Sequence, residues 1–299
     1  MRHLLLAAVL PLALPLAAAR AEPPRFAAEV PFTVCDDGLI CVPVTVDGKQ
    51  QQTLILDTGN ANSFFSAATA QTLGWKLDPA SGDDGKPVPN VFTSDHTVQL
   101  GAVSLPLQLV LIKRSKPAPP RPYQGSLAYT DLKDRVVQID YPHHLLRISE
   151  VQSGPAAAAA PGELKAITFG KQGPAILTGG PFSVNGHTLQ AQIDTGYTGS
   201  LLIYDAAVPT LELQGIAGKG TPRQFPHTDG GVTMLGSPVR SIGFAGHDFA
   251  LKNPTVYFPT PGVHQPDGLF EGTVGNELLQ DSVVTLDLHR MTLDIQAGT

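Results

Sequence analysis

Two aspartates in this chain stand in matching surroundings. Asp57 opens Asp57-Thr58-Gly59 within LILDTGNANSFFS, and Asp194 opens Asp194-Thr195-Gly196 within AQIDTGYTGSLLI. Each follows an apolar, β-branched run and precedes a small polar turn and a second apolar run, so each aspartate is expected where a buried strand meets a tight turn. Two carboxylates brought face to face share one proton. The charged one can take a proton from water while the protonated one donates to a carbonyl, with no metal or organic cofactor. The flanking types suit that task. A threonine hydroxyl can tie one loop to the backbone of the other, and a glycine permits a turn and a close approach that a side chain would block. One such tripeptide is expected by chance roughly 0.06 times in a chain of this length. Two in like contexts therefore weigh against the plainer reading, that both are ordinary strand-end turns.

The elements that must position these aspartates are themselves repeated. CVPVTVDGKQQQTLILDTG and GGPFSVNGHTLQAQIDTG each read as strand, Asp-Gly or Asn-Gly turn, strand and aspartate. Gly48 and Gly186 precede their aspartates by nine and eight residues. After each loop a short helix is expected. Ser66 would cap AATAQTL, which Gly74 would end. Asp205 would cap AAVPTLEL, which Pro209 interrupts. Each half closes on a similar segment, GSLAYTDLKDRVVQIDYPHHLLRI from Gly125 and GTVGNELLQDSVVTLDLHRMTLDI from Gly272. The chain thus reads as an N-terminal lobe over 22–153, an Ala-rich linker over 154–163 and a C-terminal lobe over 164–299.

Composition agrees with an all-β reading. The 299 residues include 30 Gly and 27 Pro, only 15% are charged, and long helical periodicity is absent. Residues 1–21 read as a signal peptide: a basic start at Arg2, an apolar run from Leu4 to Leu16 and a small-x-small site at Ala19-Arg20-Ala21. Without Arg2 and Arg20, 18 of the 20 basic residues remain against 26 acidic ones, which argues against nucleic acid as a partner. A secreted or periplasmic location with no membrane anchor follows. Cys35 and Cys41 flank an Asp37-Gly38 turn, and a disulfide across that hairpin suits an oxidising compartment. Two cysteines alone make no zinc site, and the nine scattered histidines suggest no metal centre. G-x-S-x-G, H-E-x-x-H and phosphate-loop motifs are missing. The sole tryptophan, Trp75, is expected in the core. The Pro-rich run from Lys116 to Tyr123 is expected to be a surface loop.

At both tripeptides, and at both closing segments, the chain resembles the pepsin-like and retropepsin-like aspartic proteases, the second motif being similar to single-lobe bacterial members. The resemblance implies two β-barrel lobes about a pseudo-twofold axis, with short helices and a cleft between the lobes. It implies a catalytic dyad of Asp57 and Asp194 supported by Thr58, Gly59, Thr195 and Gly196. It also implies a peptide or protein substrate and a monomer. The chain departs from that pattern at Asn60 and Tyr197, where the family usually has Ser, Thr or Ala; both are candidate cleft residues. It departs at Ala128 in Ser126-Leu127-Ala128, where glycine is usual and Thr273-Val274-Gly275 keeps it. Residues 83–104 hold no tyrosine to cover the site, though Phe92 and His96 lie there. These departures motivate an alternative on the same fold, a catalytically degenerate peptide-binding or assembly protein.

Overall fold

The computed structural model describes residues 25–76, 90–107, 110–113, 121–153, 161–168, 175–227, 230–263, 265–266 and 268–298. The expected signal peptide and most of the expected linker lie outside them. Among the described residues the regular structure is mainly strand, in two hydrogen-bonded sheets. One has nine strands, all between Thr33 and Ala128. The other has fifteen. It holds the described strands after Gly162 and three from the first half, Phe26–Pro31, Val136–Asp140 and Leu145–Ser149. Hydrogen bonding therefore does not divide at 154–163, and Gly162 and Glu163 already belong to the strand Gly162–Thr168.

The expected duplication is visible in the register. Val136–Asp140 and Ser282–Asp287, from the two closing segments, pair antiparallel. Val136 lies opposite Asp287 and Asp140 opposite Val283, with Gln138 opposite Thr285 at the centre. Equivalent residues thus exchange partners, as a twofold axis through Gln138 and Thr285 requires, and Gln138 Nε2 donates to Thr285 Oγ1 at 3.2 Å. Leu145–Ser149 then Phe26–Pro31 extend this sheet on one side, and Thr292–Ala297 then Gly162–Thr168 on the other.

The hairpins leading to the aspartates form as their turn residues dictate. Asp47 and Gly48 have φ of 49° and 64°, and Asn185 and Gly186 have 52° and 92°, the left-handed values that Asp, Asn and Gly tolerate best. Val46 faces Gln50 whereas Val184 faces His187. Lys49 is thus an extra loop residue, which accounts for the spacing of nine against eight. Alternation then buries Leu54 and Leu56 in one half and Ala191 and Ile193 in the other, within one apolar core that runs from Ala28 to Leu293.

Local expectations fare unequally. The helix Ala67–Thr72 has Ser66 at its N-cap, whose side chain accepts from the Thr69 N–H, and Gly74 follows with φ of 74°. Its counterpart is shorter than expected. A 3₁₀ turn covers only Asp205–Ala207, Tyr204 rather than Asp205 takes the N-cap place, and no side chain caps it. Pro209 has no N–H to continue the ladder, and the Asp205 carboxylate instead accepts from Gln265 Nε2 at 2.7 Å. Trp75 is buried, and its Nε1 donates to Asp47 at 2.8 Å. Cys35 and Cys41 form a disulfide, with Cα atoms 5.9 Å apart. Of the Pro-rich run, 116–120 lies outside the described residues. Tyr123 donates to Asp37 at 3.1 Å.

Candidate active site

Each aspartate lies at the end of a central strand. Gln50–Asp57 runs parallel to Gly125–Ala128, which puts Asp57 opposite Ala128. His187–Ile193 runs parallel to Gly272–Val274, and the Asp194 N–H donates to the Val274 carbonyl at 3.0 Å. Strands hydrogen-bonded on both sides hold these ends rigidly, so the turns that follow project from a fixed frame.

The two turns interlock. Thr58 Oγ1 donates to the Ile193 carbonyl at 2.7 Å and accepts from the Thr195 N–H at 3.1 Å. Thr195 Oγ1 donates to the Leu56 carbonyl at 2.7 Å and accepts from the Thr58 N–H at 3.1 Å. Both threonines are fully buried. Each hydroxyl therefore satisfies one donor and one acceptor of the opposite loop, a reciprocal grip that a sheltered site makes costly to break.

The glycines allow the carboxyls to come together. A Cβ on Gly59 would lie 2.3 Å from the Asp194 carboxyl carbon, and one on Gly196 would lie 2.7 Å from Asp57 Oδ1. Each carboxyl thus packs against the glycine of the other tripeptide, where any side chain would collide. The Gly196 N–H donates to Asp194 Oδ1 at 2.8 Å, and Asn60 Nδ2 donates to Asp57 Oδ2 at 2.5 Å. Burial, and then the nearby Asp57 charge, push the Asp194 carboxyl up to about 8, against the pull of backbone N–H groups of Gly196 and Tyr197. Burial and the neighbouring charge thus both favour the protonated form of Asp194.

The two departures after the tripeptides behave differently. Asn60 is exposed and takes the donor role beside Asp57. The phenol of Tyr197 is engaged by a neighbouring hairpin. Its hydroxyl lies 3.7 Å from Met234 Sδ, and its ring meets Phe225 with centroids 5.5 Å apart. Both partners belong to a hairpin of Thr221–His227 and Gly230–Pro238. Through its side chain Tyr197 therefore joins the C-terminal loop to that hairpin. His96 stacks on Trp75 at 3.8 Å and lies 3.1 Å from Asp47, at the turn of the first hairpin. The Phe92 side chain lies outside the described residues.

Ala128 is accommodated by a different buttress. In the C-terminal half the Gly275 N–H donates to the Ser200 carbonyl at 2.8 Å, and a Cβ there would lie 2.4 Å from the Tyr197 carbonyl oxygen. In the N-terminal half the Ala128 N–H donates to Ser63 Oγ at 2.9 Å, and Ser63 donates to Asp131 Oδ2 at 2.6 Å. A side-chain bridge replaces the direct backbone approach and leaves room for the methyl.

Two carboxamides at the site escaped the sequence reading. Asn276 Nδ2 donates to the Thr195 carbonyl at 2.9 Å and to the Gly38 carbonyl at 3.3 Å, and its Oδ1 accepts from the Tyr141 hydroxyl at 2.8 Å. It thereby ties the C-terminal loop to the disulfide hairpin and to the first closing segment. Gln192 Nε2 donates to the Gly59 carbonyl at 3.0 Å. The only signal for either was a polar residue at an apolar-looking place: Gln192 where the first half has Ile55, and Asn276 directly after Gly275. Among the described residues, no group of three or more His, Cys, Asp or Glu side chains is placed to hold a metal.

No family model and no curated protein matches the sequence. Its fold is similar to the crystal structure of an aspartic proteinase from Irpex lacteus, at 14% identity and a TM-score of 0.51, over 91% of this chain and 97% of that one. At that identity the likeness speaks for the fold alone, an all-β aspartic-protease-like architecture.

Proposed function

We propose that the chain is an aspartic endopeptidase in which Asp57 and Asp194 activate water against a peptide bond. The observation that carries this reading is the interlocked pair of tripeptide loops, which sets each carboxyl against the other loop's glycine in surroundings that favour a proton on Asp194. Ionised Asp57, held by Asn60, takes a proton from water while Asp194 gives its proton to the scissile carbonyl oxygen. A carbon–oxygen bond forms and a tetrahedral diol results. The diol then returns a hydroxyl proton to the dyad, the carbon–nitrogen bond breaks, and the leaving amine takes up the other proton. Thr58, Thr195, Gly59 and Gly196 act by fixing that geometry. The substrate is a peptide or protein, met by a monomer in the periplasm or outside the cell, as the leader-like N-terminus and the disulfide support.

The test is hydrolysis of a mixed peptide library by the purified chain across acidic to neutral pH, beside Asp57→Asn and Asp194→Asn. Both isosteric variants are expected to lose at least about a thousandfold in kcat while keeping the fold. Cleavage that survives in both overturns the reading.

A further inference from the structure

Beyond the threonine grip, the loops are joined by a bond that runs one way only. Gln192 lies one residue before Ile193, is almost fully buried, and reaches across to the Gly59 carbonyl at 3.0 Å. Its other end is also held, since Thr273 Oγ1 lies 3.4 Å from Gln192 Oε1 and the Tyr204 hydroxyl lies 2.8 Å from Thr273 Oγ1. Thr273 is the cross-strand neighbour of Gln192. A buried polar chain thus leads from Tyr204 through Thr273 and Gln192 to the N-terminal loop. The matching strands of the first half lack it. There Ser126 is the cross-strand neighbour of Ile55, which cannot bond, and Ser126 Oγ is buried without a hydrogen-bond partner among the described residues. Chains of this kind are stiff when every member is satisfied.

The recipient of the bond matters. Gly59 is the residue whose backbone packs on the Asp194 carboxyl, close enough that a Cβ would sit 2.3 Å from it. We propose that Gln192 is a positioning residue of the dyad: by holding the Gly59 carbonyl from the opposite half, it keeps the N-terminal loop pressed over Asp194 and bulk solvent off the face of that carboxyl that Gly59 covers. The role is distinct from that of the threonines, which are symmetric and fix the loops to one another's strands. Gln192 acts on one loop and shields one carboxyl.

The proposal rests on the dyad for its kinetic readout but not for its titration. In Gln192→Met the side-chain volume is kept and the donor is lost. The Asp194 ionisation, followed by carboxyl-carbon NMR of the aspartate-labelled chain, is expected to move down by about one pH unit as water reaches the group. The alkaline limb of kcat should follow it, with kcat lower by about tenfold, KM little changed and the thermal midpoint nearly unaltered. Thr273→Val leaves Gln192 in place but frees its other end, and should move the ionisation the same way by less. This second variant carries the test should Gln192→Met not fold. An Asp194 titration that stays put in the folded variants overturns the proposal. A wild-type chain that cleaves no peptide would overturn the proposed function instead, and the titration comparison would still decide the role of Gln192.

Discussion

In the C-terminal half the loop after Asp194 rests on a close backbone approach and one carboxamide. Gly275 lies directly beneath it, its N–H bonded to the Ser200 carbonyl, and Asn276 fastens the Thr195 carbonyl from below. In the N-terminal half the loop after Asp57 rests on side chains. Ala128 lies beneath, Ser63 and Asp131 bridge the gap, and Gln192 reaches over from the other lobe. The same tripeptide and the same threonine grip are thus supported in two ways. The parts that must meet across the axis are alike, because each is the other's partner. The supports behind each loop, Gln192 and Asn276 among them, are not paired with their own counterparts across the axis, so they are free to differ, as are Asn60 and Tyr197.

If that division holds, changes at the axis should be the most damaging and should hurt both halves. Gly59→Ala and Gly196→Ala each place a methyl against the opposite carboxyl. The loops cannot separate without breaking the threonine bonds. Both are expected to lower kcat by at least about a hundredfold. Gly59→Ala should be the worse, because its methyl would lie 2.3 Å from Asp194 against 2.7 Å to Asp57 for Gly196→Ala. Steady-state kinetics on one peptide would rank them, and wild-type rates in either would mean the loops are looser than the interlock implies.

The two carboxyls should also part company in their effect on stability. Asp194 is raised from 3.8 to about 8 in the folded chain, so the folded state holds its proton more tightly than the unfolded state does. That contribution is complete below about pH 4 and is lost as pH rises towards 8. Thermal unfolding of the wild type should therefore show a midpoint that declines over this window. Asp194→Asn should remove the decline. Asp57→Asn should only lessen it, because it takes away the second cause, the neighbouring charge, and leaves burial, the first. Equal flattening by both variants would show that the pair's repulsion outweighs burial.

What the sequence made legible, and what it did not, follows the same line. The tripeptides, the Asp47-Gly48 and Asn185-Gly186 turns and the closing segments were readable because each is a local pattern that occurs twice. The short helix after Ser66 was readable from its cap. Its counterpart was overstated because Pro209 allows only a single 3₁₀ turn. The Gln192 bond to Gly59 spans 133 residues, and that of Asn276 to Gly38 spans 238. A lone carboxamide in a strand announces that it needs a partner but not which one, since the partner is chosen by tertiary packing. Ser63 is a further case. Its hydroxyl looks like one more loop polar group until the methyl of Ala128 is seen to need a spacer.

The smallest contrast concerns that spacer. Gly275→Ala would drive a methyl to 2.4 Å from the Tyr197 carbonyl oxygen and 2.5 Å from that of Gly199. Backbone atoms on both sides cannot yield cheaply, so a loss of about 2–4 kcal/mol is expected. Ala128→Gly removes a fully buried methyl but leaves the Ser63 bridge intact. It should cost only about 1 kcal/mol, from a small void and the greater freedom of glycine in the unfolded chain. Denaturant midpoints of the two variants measure the difference. If Ala128→Gly proved as costly as Gly275→Ala, Ser63 and Asp131 could not be holding the N-terminal loop by themselves. The methyl would then be part of the buttress rather than something the buttress accommodates.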